Sequence, residues 1–252
     1  MTCAPAAAFL VAFAISAQEA SAPTFEVASL KPSAETDHVI GMFTYPGGRV
    51  TATNYTLKML IHEAWGIEDF RILGGSNWTD TDRYNLEAKP PASSPSSTWV
   101  PANLKTPPNP EMRQMLQTLL ADRFRLKTHP ESRKEPVYAL VVAKGGPKLT
   151  PPASTTVQPF VSFLPNGLSG NNATVDQLVE RLASNLRRPV LNHTGLRGNY
   201  DFLIDYPPDD AGTDRTSLLI RALQDQTGLK LETEPGTIDV IVIDHAEKPS
   251  AN

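Results

Sequence analysis

Four times along this chain, a segment with apolar residues at three- and four-residue steps gives way to two short strand-like runs. In the first unit Asn54 or Thr56 stands where a helix cap is needed, ahead of Leu57, Leu60, Ile61 and Ala64, and Gly66 supplies the stop. FRIL, a turn at GGSNW and YNLEA follow. The second unit starts with Asn109 as cap and Pro110 as first helical residue, and carries Met112, Met115, Leu116, Leu119 and Leu120. Its strands are FRLKTH and VYALVVA, with a charged turn at PESRKE.

The third unit begins with a capping box over Thr174 to Gln177, followed by Leu178, Val179, Leu182 and Leu186, then PVLN and YDFLIDY. The fourth runs from Ser217 through Leu218, Leu219, Ala222 and Leu223 to a stop at Gly228, then LKLET, a turn at EPG, and TIDVIVIDH. FEVASLK and GGRVTATN add strands ahead of the first helix. Four similar units imply an internal pseudo-repeat, too unevenly spaced for a solenoid. The expected class is α+β, with repeated helix-strand-strand units packing on antiparallel or mixed sheets.

Proline marks the joints. There are 23 of them, about 9% of the chain against a usual 5% or so, and they gather between the periodic segments. Residues 90–110 and 151–171 read as Pro/Ser-rich linkers. They separate an N-terminal α+β unit (23–89), a central helix-hairpin unit (111–150) and a C-terminal pair of such units (172–249).

The first residues read differently. An apolar run from Ala6 to Ile15, followed by small residues, has the form of a secretory signal, although no Lys or Arg precedes it. Cleavage is expected after Ala17, with Ala22 as the alternative boundary. The run is shorter than the roughly 20 residues that span a bilayer, so no membrane span is expected in the mature chain. The only cysteine is Cys3, inside this segment, which removes disulfides and thiolate chemistry from the expected mature protein. A net charge of -4 with no long basic run excludes nucleic acid as an expected partner.

Motifs with chemistry are sparse. The five histidines form neither HxH nor HExxH, and His62 is followed by Glu63 without a second histidine four residues on. No nucleophile elbow, SxxK or phosphate loop is present. No cofactor or metal is therefore expected. His193 and Asp201, within NHTGLRGNYDF, would suit a base and its orienting acid, but no nucleophile adjoins them. Gly195 and Gly198 make that stretch a turn. Trp78 lies in a polar turn, and with Asp80, Asp82 and Arg83 it is the expected binding loop. Asp80, Asp82 and Glu87 form the densest acidic set near an aromatic residue.

The blocks FEVASLKPS, GGRVTATNYTLKMLIHEAWGI, GGSNWTDTDRYNLEAK, MLQTLLADRFRLKTH, EPVYALVVAKGGPKL, RPVLNHTGLRGNYDF and LETEPGTIDVIVIDHAEKPSAN follow one another in order. Together they resemble the soil-associated bacterial family that shares the DUF3738 domain. The resemblance implies export and assigns no reaction or catalytic residue. It also implies an extracytoplasmic sensing or contact role, because similar domains occur fused to membrane-bound regulatory metallopeptidases. More loosely, the units resemble the small periplasmic contact domains of secretins and TonB-dependent transporters. Where the family usually has an acid followed by Lys, this chain has Asn192 and His193, which weakens a catalytic role for that histidine. The combined expectation is an exported, non-catalytic binding module for an extracytoplasmic protein or peptide, using strand edges and the Trp78 loop. The alternative is a glycan or cell-wall hydrolase using the acidic residues near Trp78.

Overall fold

The computed structural model describes residues 22–34, 39–207 and 214–249. The expected signal segment and Cys3 lie outside them. Among the described residues the chain is α+β, with five helices and eleven strands in three sheets.

In chain order the N-terminal lobe runs β1 (Val27–Pro32), β2 (Gly41–Thr44), β3 (Val50–Thr56), α1 (Leu57–Trp65), β4 (Ile72–Gly74), α2 (Trp78–Thr81), β5 (Arg83–Lys89) and α3 (Pro110–Arg123). The long strand β6 (Lys127–Val142) leaves this lobe. The C-terminal lobe holds β7 (Phe160–Leu164), β8 (Gly167–Thr174), α4 (Val175–Leu186), β9 (Val190–Asn192), β10 (Asn199–Asp205) and α5 (Arg215–Thr227), and β11 (Leu229–His245) runs back.

The local stop and start signals act as their chemistry dictates. Thr56 caps α1 by accepting the Met59 N–H, Asn109 caps α3, and Thr174 and Gln177 close a full capping box on α4. Gly66 and Gly228 end α1 and α5 in the left-handed conformation.

The expected hairpins after the helices do not form. PESRKE and EPG are not turns: β6 and β11 are continuous and pair antiparallel along their whole length, a ribbon of roughly 50 Å. The prolines explain why this is permitted. The Tyr138 N–H donates outward to the Pro189 carbonyl, so even-numbered β6 positions, Pro130 and Pro136 included, turn their nitrogens away from β11. Pro235 stands opposite Pro136 and likewise costs no bond of the ladder. FRIL and YNLEA part company too, because β4 pairs parallel with β11 while β5 lies between β1 and β3. PVLN and YDFLIDY likewise enter different sheets, β9 beside β6 and β10 beside β8.

What repeats is half the chain. In β3 a bulge at Asn54, with φ of 60°, is held by the Oδ1 of Asn85 on β5, which accepts the Asn54 N–H at 2.8 Å. In β8 a bulge at Asn172, with φ of 48°, is held by Asp201 on β10, whose Oδ1 accepts the Asn172 N–H at 2.7 Å. Two residues after each bulge the chain enters a threonine-capped helix, α1 or α4. Hairpin β2–β3 corresponds to β7–β8, β4 to β9, β5 to β10, α3 to α5 and β6 to β11. The sheet order β4-β11-β6-β9 is then a local two-fold arrangement, centred near the Lys134–Thr237 pair.

The long strands are exchanged between lobes. Leu126 at the start of β6 lies in the N-terminal core with Leu57, Leu60, Leu116, Leu120 and Phe124, whereas Leu140 near its end is buried among Leu168, Leu178, Leu182, Leu223 and Ile204. β11 makes the reverse journey, from Leu229 in the C-terminal core to Ile243 in the N-terminal one. Val137, Ile238 and Val240 form a small apolar patch between the two.

Candidate functional site

Near the local two-fold axis lies a cleft of about 650 Å³ between α1 and its counterpart α4. Its floor is the middle of β11, Thr237 to Asp239, and its walls include Ile67, Phe70, Val179, Ala183, Val190 and Leu191. The polar lining is His62, Glu63, Glu68, Arg71, Arg113, Glu180 and Asp239. Apolar and polar groups share this lining at a place where two lobes meet, a usual setting for a ligand site.

Local folding sets these groups. α1 carries His62 and Glu63 on its last turn, and the left-handed Gly66 then swings the chain away. Any side chain at Gly66 would collide with the guanidinium of Arg113 from α3, so the glycine opens the space that Arg113 fills. The Arg113 Nε donates to the Pro108 carbonyl at 3.1 Å, and the Arg71 Nε to the Asp239 carbonyl at 2.6 Å.

Glu63 is the electrostatic centre. Burial pushes its carboxyl above the usual glutamate range, against the opposing pull of the His62 charge, a hydrogen bond from Tyr55 and the Arg113 charge. The Tyr55 hydroxyl donates to Glu63 Oε1 at 3.3 Å, and burial followed by the Glu63 charge raises the phenol in turn. The Nδ1 of His62 is buried without a hydrogen-bond partner among the described residues. The arrangement offers a ligand a carboxyl that resists ionisation beside apolar side chains, while the unpaired His62 nitrogen lies beneath the surface.

The residues expected from sequence lie elsewhere. Trp78 is half-buried and stacks on Phe124 at 6.2 Å between ring centroids, with the Lys248 ammonium 5.9 Å from its own. Asp80 pairs with Lys58 at 2.8 Å and Asp82 with Lys248 at 2.6 Å, and Arg83 donates to the Asn54 carbonyl at 2.7 Å. The expected turn at Trp78 is a short helix: Trp78 and Asp80 lie on α2, Asp82 caps its end and Arg83 opens β5, each in contact with its own chain. Asp80 and Arg83 also line a smaller hollow with Lys58, Asp69 and Arg187. His193 and Asp201 are not a catalytic pair. The His193 Nδ1 lies 3.7 Å from Glu234, while Asp201 accepts the N–H groups of Ala153 and Asn172, which hold its carboxyl below the usual range.

Residues 58–246 match the family described as protein of unknown function (DUF3738). The chain belongs to the DUF3738 family. No curated protein and no solved structure matches it. The DUF3738 match contains every residue that lines the cleft and both lobes' ribbon strands, while Tyr55 lies just ahead of it. Among the described residues of this DUF3738 protein no helix is long and apolar enough to cross a membrane, and no group of three or more His, Cys, Asp or Glu is placed to hold a metal.

Sequence reasoning passed over the cleft. His62 and Glu63 were visible as neighbours on a helix, but the residues facing them arrive from α3, α4, β9 and β11, and no spacing along the chain encodes that meeting. The histidine-glutamate pair on the last turn of a largely apolar helix was the available signal.

Proposed function

We propose that this DUF3738 protein is an exported, non-catalytic binding module whose ligand, a peptide segment of an extracytoplasmic partner, seats an apolar side chain in the cleft between α1 and α4. The observation that carries this reading is the lining itself: apolar side chains from both lobes, Ile67, Phe70, Val179 and Leu191 among them, beside the hydrogen-bonded Tyr55–Glu63 pair. The Trp78 loop, with Asp80, Asp82 and Arg83, is a secondary contact surface. Affinity capture from a periplasmic and secreted extract tests the reading. Leu191 is 40% exposed at the cleft, so Leu191→Trp narrows the site without disturbing a core, and the captured partner is expected to be lost with that variant. Equal capture by both forms would end the proposal.

One observation favours a glycan-hydrolysing reading, now placed in the cleft. A carboxyl raised by burial is the form a general acid takes, and Glu68, Glu180 and Asp239 line the same hollow. Turnover of a glycan panel that Glu63→Gln abolishes would establish it. The same variant has a separate effect on stability. A raised carboxyl contributes stability that is present below the ordinary glutamate value of 4.5 and is lost as pH rises through the folded value. Glu63→Gln is therefore expected to be more stable than wild type at neutral pH and to lose that advantage in acid, as read by thermal denaturation against pH.

A further inference from the structure

The two lobes treat one edge differently. In the N-terminal lobe β2 is the outer strand, and its Thr44 N–H donates to the Leu104 carbonyl at 2.8 Å while the Thr44 hydroxyl donates to the Thr106 carbonyl. Residues 99–106 thereby cover this edge, and Thr44 is fully buried. The counterpart of Thr44 in the C-terminal lobe is Phe163 on β7, also an outer strand. Here the cover is missing: no described residue pairs with the outer side of β7, and Phe160 and Phe163 are 42% and 48% exposed.

The direction of the free groups follows from the ladder. The Tyr206 N–H donates to the Asn166 carbonyl, so Leu168 and Gly170 bond toward β10, and Gly167, Ser169 and Asn171 bond toward β7. Their partners Leu164, Ser162 and Phe160 are thus engaged, and the N–H and C=O groups of Val161 and Phe163 face outward. Between Pro159 and Pro165, β7 itself contains no lysine, proline or bulge to defend its edge.

We propose that the outer edge of β7 is a strand-accepting site that takes an extended apolar peptide segment with one carboxylate, a site separate from the cleft. The Phe163 N–H and its neighbours bond this segment as Thr44 bonds residues 99–106 in the other lobe. The carboxylate follows from Arg181, whose guanidinium lies 5.5 Å from the Phe163 ring centroid and makes no ion pair among the described residues. The five-residue edge spans roughly 17 Å, so a contact confined to it falls well short of the roughly 800 Å² per partner of a stable dimer. A single peptide strand fits the edge better than a second copy of the chain.

The test uses the full chain and a fluorescein-labelled octapeptide of alternating valine and threonine with one aspartate. Saturable binding is expected, with amide exchange at Val161 and Phe163 slowed at least tenfold on saturation. Phe163→Pro removes an outward N–H that the β8 ladder does not use, and Arg181→Glu reverses the exposed charge. Each is expected to weaken binding at least tenfold with the thermal transition retained, whereas Leu191→Trp in the cleft is expected to leave it unchanged. Absence of peptide binding at millimolar concentration would overturn the proposal. So would binding that survives both edge variants, or protection of β7 without peptide that tracks dimer formation in sedimentation.

Discussion

The two lobes share a bulged strand, a threonine-capped helix and an exchanged ribbon strand, and they part in the chain that joins their last sheet strand to the ribbon helix. Between β5 and α3 the N-terminal lobe carries residues 90–109, a segment whose composition suggests a loose linker. Within it Ser94 and Ser96 are buried, and Glu111 on α3 accepts hydrogen bonds from both hydroxyls and from the Ser96 N–H. The corresponding connection after β10 is far shorter. The longer connection therefore accompanies a closed edge in place of an open one, on a half-fold to which the N-terminal lobe also adds β1 and α2.

The largest expected effect concerns the coupling of the lobes. Leu140 is fully buried in the C-terminal core, and Leu140→Ala is expected to cost about 2–5 kcal/mol, or roughly 4–20 °C in midpoint. All three tryptophans, Trp65, Trp78 and Trp99, lie in the N-terminal lobe. Because each core holds the other lobe's strand, tryptophan fluorescence is expected to report the lowered midpoint in a single transition coincident with circular dichroism. An unmoved fluorescence transition would mean that the lobes unfold independently.

A smaller effect sharpens the difference at the edges. Glu111→Ala removes one acceptor from the Ser96 N–H and from two hydroxyls, although the Ser94 Oγ and the Asn109 Oδ1 still accept from the Ser96 N–H and hydroxyl, and is expected to cost about 1 kcal/mol. The Ser96 hydroxyl, foremost among these bonds, holds the Glu111 carboxyl below the usual range, so in wild type this contribution is present above the ordinary glutamate value and is lost as pH falls through the folded one. Hydrogen exchange at the Thr44 amide is expected to quicken in the variant, making the N-terminal edge resemble β7. An unaltered Thr44 would show that residues 99–106 hold the edge without the glutamate.

The smallest effect tests the bulges. Asp201→Asn gives the C-terminal bulge the amide acceptor that Asn85 provides in the other lobe. Wild-type Asp201 is held low by the Ala153 and Asn172 N–H groups, so its contribution is present above the ordinary aspartate value of 3.8 and is lost as pH falls through the folded value. Acid titration of stability is expected to show the wild type ahead at neutral pH and the two forms converging as pH falls through the lowered folded value of Asp201. Parallel curves across that window would dismiss the bulge carboxylate as a contributor.

The sequence was most legible where a few neighbouring residues decide the outcome. Thr56, Asn109 and Thr174 cap, Gly66 and Gly228 stop, and the helices between them follow from their apolar spacing. Prolines misled because the rule that they break strands depends on which way the nitrogen faces, and Pro136 and Pro235 face out of the ladder. The β7–β8 hairpin was hidden by the same habit, with Pro165 and a polar run around it reading as linker. The half-chain repeat escaped notice because its markers are bulges at Asn54 and Asn172, visible only once the strands are paired. The cleft required helices α1 and α4 to face each other, which follows from the exchange of β6 and β11 and from no local pattern.

That exchange has a bearing on how such a chain can be divided. A half-length chain ending after β6 would carry its final strand beyond its own core, with no β11 to complete the sheet, and would close only by trading that strand with another half. Joining the halves in one polypeptide makes the trade intramolecular and independent of protein concentration. Cutting the backbone between β6 and β7 would therefore be expected to leave two fragments still clasped, each gripping the other's interior.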